Sequence, residues 1–475
     1  MDDRTAGERS RVLAEASTPQ ASEASTPQAS TVRTGFARAE QDLLARGYTR
    51  MVFDLSRIQA LLDLLGSPQR AYPAIHITGT NGKTSTARMI DALLRAHGLR
   101  TGRYTSPHLR SIRERISIES EPISEERFVE VYDEVAPVAR FLDEKADEAG
   151  AGTLTYFDMT TAMAFAAFAD APVDVAVVEV GLGGAEDSTN VLQAQTSVIL
   201  PIGLDHMEWL GDTIADIAWA KAGIVHKGAT LICAAQPEEA MRPILRRCAE
   251  VSATIAREGS EFGVLRRSLA VGGQALTLQG LSGEYDDIFL PLHGAHQAQN
   301  AAVALAAVEV FLGAGTERSL DPQVVRDGFA VVTSPGRLER VRSAPAILLD
   351  AAHNPAGMVA TVAALRDEFD FSQLIAVVAV LADKDAVGIL EELEPVAQQI
   401  VVTHNTSPRA MPASELGELA ARVFGPERVQ VKPAMPDAIE TAVGLAEAAG
   451  ESGSGVLITG SVVTVADARR LLRRE

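Results

Sequence analysis

The chain has 475 residues, 47% of them hydrophobic, and a net charge of −20. That length exceeds one ordinary core, so two globular domains with buried sheets are expected. The acidic balance argues against a nucleic-acid binder, which needs a basic surface to displace counterions, so any anionic ligand has to be held by local groups.

Residues 15–22 and 23–30 repeat the octapeptide EASTPQAS. A polar Pro/Ser/Thr tandem cannot bury enough to fold, so residues 1–33 are expected to form a disordered tail. The N-terminus has no apolar core of signal-peptide length, and the Ala-rich run from Met159 to Ala169 is short and followed by Asp170 and Asp174. A cytoplasmic protein without a membrane segment is expected. Cys233 and Cys248 form no C-x-x-C pair, which fits a reducing compartment and packing roles rather than zinc or a disulfide.

The segment Ala74 to Met89, AIHITGTNGKTSTARM, reads as a buried strand, a phosphate-holding loop and a helix start. A polyphosphate wants converging backbone N–H groups; Gly79 and Gly82 let the backbone approach, and the helix N-terminus adds donors. Asn81, Gly82, Lys83, Thr84 and Ser85 form the expected nucleotide site, with Lys83 meeting phosphate charge and the two hydroxyls reaching phosphates or a hydrated Mg²⁺. Ile77 stands where the general P-loop pattern has its first glycine, so the loop is a shorter variant. A Gly-Asn turn that merely joins strand to helix is the plain alternative.

Further on, short apolar runs alternate with Ala-rich segments of helical period, which implies an α/β fold: a P-loop ATPase-like parallel-sheet domain and a smaller Rossmann-like α/β domain. Val173 to Val180 carries Glu179 near its end, and Val198 to Ile202 leads to Gly203-Leu204-Asp205-His206. Ligands of open α/β sheets sit beyond the carboxyl ends of strands, so these groups are expected to converge on the phosphate loop. Ser260 to Leu292 alternates with Gly-rich turns and predicts a small antiparallel addition, followed by a long helix from Gln297 to Leu312. The TSPGRL run, Thr333 to Leu338, is the expected linker between a first domain of residues 34–332 and a second of residues 339–475. Strands of the second domain are predicted at Ala346 to Asp350, Leu374 to Leu381, Gln399 to Thr403, Val429 to Val431 and Val456 to Gly460.

Seven motifs stand in order: GTNGKTS, YTSPHL (Tyr104 to Leu109), GLDHMEWLG (Gly203 to Gly211), KAGI (Lys221 to Ile224), HQAQN (His296 to Asn300), PGRLE (Pro335 to Glu339) and DAAHNP (Asp350 to Pro355). Together, over roughly residues 40 to 470, they resemble folylpolyglutamate synthase and dihydrofolate synthase, the folate branch of the Mur ligase family. The resemblance implies an ATP-dependent, ADP-forming ligase that joins L-glutamate to a pterin-bearing carboxylate, a reduced folate, dihydropteroate or both, through an acyl phosphate. It assigns Mg²⁺ ligation to Ser106, Glu179 and His206, and a second Mg²⁺ to Lys221 as its carbamate. It also assigns nucleotide contacts to Asn300 and Arg337 and, from the second domain, to Asp350 with His353. The loop holding Asp187 and Asn190 falls on the pterin side. Lys83, Lys221, His206 and His353 are thereby the expected catalytic set.

By residue type alone, Glu179 suits a helix cap or a salt bridge as well as a metal. Lys221 suits a lysine whose stem packs on an apolar helix while its ammonium reaches water, and Arg337 suits a surface linker arginine. His108, in the same turn as Ser106, has no role that the sequence supplies. The implied chemistry needs no covalent enzyme intermediate. A carboxylate attacks the γ-phosphate, then the amine of glutamate attacks the acyl phosphate; positioning and charge neutralisation supply most of the catalysis. Arg337 and the second-domain loop, arriving on closure, would exclude water. The chain departs from the family at GLGGAEDSTN, where Ala185 and Glu186 replace a basic or variable residue and a large apolar one, so acceptor preference is expected to depend on Glu186. A monomer acting on small molecules, with no nucleic-acid or membrane partner, completes the expectation. A Mur-type paralogue for another carboxylate or amino acid is the nearest alternative, and a nucleotide-dependent regulator that makes no bond is the rival from another class.

Overall fold

The computed structural model describes residues 27–47, 52–148, 152–315, 318–448 and 453–473. In the first domain the strands are β1 (Ala74–Thr78), β2 (Thr101–Tyr104), β3 (Ile116–Ile118), β4 (Glu121–Pro122), β5 (Val175–Glu179), β6 (Thr196–Ile199), β7 (Thr230–Cys233) and β8 (Thr254–Arg257). They form one sheet in the order β4-β3-β2-β5-β1-β6-β7-β8. β1 and β5 are buried at every position, as a parallel sheet covered by helices on both faces requires. β1 pairs in parallel with β5 on one side, Ile77 opposite Glu179, and with β6 on the other, Ile77 opposite Val198. The loops after β1, β5 and β6 therefore leave the sheet side by side, and the three polar strand ends converge as the sequence implies.

The antiparallel addition is a three-stranded sheet of β9 (Gly263–Ala270), β10 (Gly273–Gln279) and β11 (Glu284–Leu290). It is fastened to the helix Ala295–Phe311 by Glu309, a fully buried carboxylate. That carboxylate accepts from Leu281 N at 2.6 Å, Ser282 N at 3.1 Å and Tyr285 Oη at 3.0 Å. The second domain has β12 (Glu339–Ser343), β13 (Ala346–Leu349), β14 (Gln373–Val378), β15 (Gln399–Val402), β16 (Val429–Val431) and β17 (Ser454–Thr459), ordered β12-β13-β17-β14-β15-β16.

Three features differ from the sequence reading. Both sheets carry antiparallel edges, at β3-β4 and at β12-β13, where a wholly parallel unit is expected. β12 reads ERVRS, a charged strand of the kind that tolerates an edge because its free backbone groups face water. The helix Pro27–Ala45 begins inside the expected tail, so residues 27–33 are helical; the rest of that tail lies outside the described residues. The helix is anchored beyond the repeat, where Ala39 and Leu43 are fully buried and the Phe36 and Phe128 rings meet edge-on at 5.2 Å. Cys233 and Cys248 are free and buried, as packing residues should be.

Candidate active site between the domains

The phosphate loop owes its shape to two glycines. Gly79 has φ +151° and lies so close to β6 that an added Cβ would stand 2.6 Å from Leu200 Cβ. Gly82, at φ +86°, precedes the helix Lys83–Ala96 and leaves 2.7 Å between a hypothetical Cβ and Asn300 Oδ1. Asn300 is thus pressed against the loop from the helix Ala295–Phe311, its Nδ2 donating to Gln297 Oε1 at 3.1 Å. Ser85 Oγ lies 2.9 Å from Ser334 Oγ, which ties the loop to the interdomain linker.

Lys83 Nζ donates to the carbonyls of Gly79 (3.0 Å) and Thr80 (3.2 Å), and burial lowers its pKa. Across the same carbonyl of Gly79 stands Lys221 Nζ, also at 3.0 Å. Lys221 is 5% exposed on the helix Ile214–Ala222, so its ammonium does not reach water as the bland reading had it. Burial, with the charge of Lys83, brings its pKa down to about 7, where the neutral amine is populated. The helix can approach because Gly184 faces it: a Cβ there would lie 2.7 Å from Lys221 O.

Glu179, at the end of β5, is 1% exposed, and burial raises its pKa. Thr84 Oγ1 donates to both carboxylate oxygens, at 3.1 and 2.9 Å, and Ser106 N donates to Oε2 at 3.4 Å. Among the described residues no cation is within ion-pair distance of this carboxylate. A buried acid held by a hydroxyl and an amide, with no cation paired to it, suits a hard divalent ion such as Mg²⁺.

The β6 end supplies Asp205 and His206. Asp205, to which the GLDHMEWLG motif assigns no role, stands at the centre of the domain junction. Lys384 Nζ reaches its Oδ1 at 2.6 Å, Asn354 Nδ2 its Oδ2 at 3.0 Å, and His353 Nε2 stands 3.7 Å from Oδ2. Burial alone would raise this carboxyl; the facing His353 and the charge of Lys384 outweigh it and hold Asp205 well below the usual carboxylate range. His206 sits 3.5 Å from Lys384 Nζ, and burial lowers its pKa to about 4, which leaves the imidazole neutral at physiological pH. Asn81 and Asn354 exchange side-chain hydrogen bonds at 3.2 Å, so the phosphate loop itself touches the second domain.

The remaining expected residues divide. Arg337 forms no side-chain hydrogen bond or ion pair among the described residues, yet its charge is felt by both Lys83 and Glu179. Asp350 accepts from Leu338 N (3.0 Å), Ala352 N (2.9 Å) and Thr361 Oγ1 (2.9 Å), and so holds the linker residue that follows Arg337 against the second domain. Asp187 and Asn190 likewise fold their loop: Leu182 N donates to Asp187 at 2.8 Å, and Asn190 Nδ2 donates to Ala185 O at 2.9 Å. Glu186 is exposed. Between the domains lies a cavity of about 750 Å³, lined by Pro107, His108, Tyr156, Gly181 and His206 on one side and by His353, Lys384, Ser407 and Arg409 on the other.

A P-loop domain whose phosphate end is covered by a second domain, with a substrate-sized cavity at the junction, is the arrangement of a nucleotide-dependent enzyme such as a ligase. The Mur ligase middle domain matches residues 77–308, and the Mur ligase glutamate ligase domain matches residues 336–462. The chain is 53% identical over 445 residues to the dihydrofolate synthase/folylpolyglutamate synthase of Mycobacterium tuberculosis, covering 90% of this chain and 91% of that protein. It is 37% identical to the folylpolyglutamate synthase of Lacticaseibacillus casei, over 76% of this chain and 83% of that one. The solved structure of the Mycobacterium tuberculosis folylpolyglutamate synthase complexed with ADP has a TM-score of 0.90 at 51% identity, covering 94% of this chain and 99% of the other. A folylpolyglutamate synthase complex with AMPPCP and folate has a TM-score of 0.79 at 29% identity, covering 92% and 99%. The chain belongs to the folylpolyglutamate synthase/dihydrofolate synthase group of the Mur ligases and is an ATP-dependent ligase that forms carbon–nitrogen bonds.

Proposed function

We propose that this ligase adds L-glutamate both to dihydropteroate and to reduced folates, through an acyl phosphate made from ATP. The observation that carries the reading is the junction at Asp205, where His353, Asn354 and Lys384 of the second domain meet the β6 end beside the phosphate loop. Closure there excludes water from an acyl phosphate that would otherwise hydrolyse. The 53% identity to a relative that bears both activities in its name supports the pair of acceptors.

In this reading Asn81, Gly82, Lys83, Thr84 and Ser85 bind the phosphates, Asn300 abuts them, and Arg337 reaches them from the linker. Glu179, Ser106 and His206 would hold one Mg²⁺ and a carbamylated Lys221 a second; such ions neutralise charge on the transferred phosphoryl group. Lys83 contributes charge at the phosphates and His353 orients the closing loop, while Asp187 and Asn190 shape the pterin side. The enzyme acts as a cytoplasmic monomer. No helix among the described residues is long and apolar enough to cross a membrane.

The test is a matrix of ligation assays, dihydropteroate and tetrahydrofolate each against glutamate and other amino acids, read by product mass and ADP release. ADP release that needs both a pterin acid and glutamate supports the proposal, and Lys83→Ala abolishes it. Ligation of a different acid or amine would instead identify a Mur-type paralogue, and hydrolysis indifferent to both substrates would sink the ligase reading.

A further inference from the structure

His108 is the motif residue that the chemistry above leaves without a part, and its surroundings fix where its proton sits. Arg115 Nε donates to His108 Nδ1 at 3.0 Å. A guanidinium has no lone pair to offer, so Nδ1 is the bare nitrogen and the ring proton is on Nε2. Arg115 is 3% exposed, and its guanidinium carbon lies 5.3 Å from the centre of the Tyr156 ring, so the group that sets the tautomer is itself held in place.

The turn is clamped on both sides of His108. Ser106 N donates to Glu179 Oε2 at 3.4 Å, while Leu109 N and Arg110 N donate to the Glu114 carboxylate at 2.9 and 3.0 Å. Among the described residues His108 Nε2 has no hydrogen-bond partner, and the residue lines the cavity that His206, His353 and Lys384 share. A fixed, unpaired donor therefore lies at the cavity between the domains.

We propose that His108 contacts the acceptor acid, its Nε2–H donating to one carboxylate oxygen while the other attacks the γ-phosphate. The inference rests on the ligase reading. The choice of acceptor over glutamate follows from position. His108 follows Ser106 in a first-domain loop bonded to Glu179, on the side where the γ-phosphate must lie, whereas the opposite wall belongs to the second domain. In the reaction an oxygen–phosphorus bond forms as ADP leaves; the amine then forms the carbon–nitrogen bond as phosphate leaves with the amine proton. His108 keeps its own proton throughout and acts as a donor that positions and polarises.

The test compares His108→Phe with His108→Gln in the full-length enzyme, varying acceptor, glutamate and ATP separately. Losing one hydrogen bond to a charged group lowers kcat/KM for the acceptor about 10- to 100-fold, with the KM for glutamate and for ATP within about twofold. Glutamine, whose amide N–H stands near the position of Nε2–H, restores most of the loss. The proposal is overturned if His108→Phe keeps wild-type acceptor kinetics, if the KM for glutamate moves instead, or if glutamine fares no better than phenylalanine. A wild-type enzyme that ligates no pterin acid fails the parent reading as well; a working wild type with an indifferent His108→Phe fails this inference alone.

Discussion

Lys384 Nζ lies 2.6 Å from Asp205 Oδ1, and the two side chains are 7% and 9% exposed. This buried ion pair joins the loop after β14 to the loop after β6, so the second domain is tied directly to the strand end that carries His206. Removing one partner leaves a buried charge unpaired, at a cost of about 3–5 kcal/mol. Lys384→Met should therefore open the domain junction. Small-angle scattering is expected to give a larger radius of gyration, and kcat should fall at least about 100-fold. An unchanged radius with normal turnover would mean that closure does not depend on the pair.

A second tie between the domains sets an acid limit. Glu368, at the end of the helix Pro355–Glu368, accepts from His293 Nδ1 at 2.8 Å and Gly294 N at 2.6 Å and is paired with Arg267 of β9. Burial alone would raise this carboxyl, but the His293 and Gly294 hydrogen bonds and the Arg267 charge lower it below the ordinary carboxylate value. A group with a depressed folded pKa stabilises above its unfolded value, about 4.3 for glutamate, and loses that stabilisation as pH falls through the folded one. Glu368→Gln should lower Tm at pH 7 and shrink the loss of Tm between neutral pH and about pH 3. Parallel Tm profiles of variant and wild type would remove Glu368 from the acid response.

Thr84 presents a hydroxyl to both oxygens of Glu179 and so fixes the orientation of the carboxylate expected to meet Mg²⁺. Thr84→Val keeps the shape and removes the donor. The Mg²⁺ concentration for half-maximal rate should rise about 10- to 100-fold, because groups that support a metal-binding carboxylate tune its affinity by that order. The KM for glutamate should stay unchanged. An unaltered Mg²⁺ dependence would reduce the hydroxyl to a packing contact.

What the sequence displays is what short range determines. Glu179 and Asp205-His206 are legible because an apolar run stops at a polar residue, and a parallel sheet brings such stops to one edge. The Asp205–Lys384 pair spans 179 residues and two domains, and nothing local to Lys384 in ADKD marks it. The His108 tautomer depends on Arg115 across a turn, and helical period alone cannot reveal that the Gly79 carbonyl lies above Lys221. Asp350 is legible because it ends an apolar strand; its bonds to Leu338, Ala352 and Thr361, which brace the linker and the following helix, appear only in the fold.

Lys221 gives the most discriminating prediction, because its environment favours an uncharged amine and the proposed function requires a charged carbamate. Burial brings its pKa from 10.5 to about 7. Between those values the unfolded chain binds more protons than the folded one, so stability rises with pH across that window and the penalty is full below about pH 7. A neutral amine is also the form that adds carbon dioxide. Enzyme freed of carbon dioxide at pH 6 should therefore be inactive, and bicarbonate at pH 8 should restore it, with an intact-mass gain of one carbon dioxide that Lys221→Ala lacks. A short carboxylate supplied to Lys221→Ala should partly rescue turnover by standing in for the missing anion. Full activity of carbon dioxide-free enzyme, or of Lys221→Met, would leave Lys221 as a plain amine bonded to Gly79 O and take the second ion out of the mechanism.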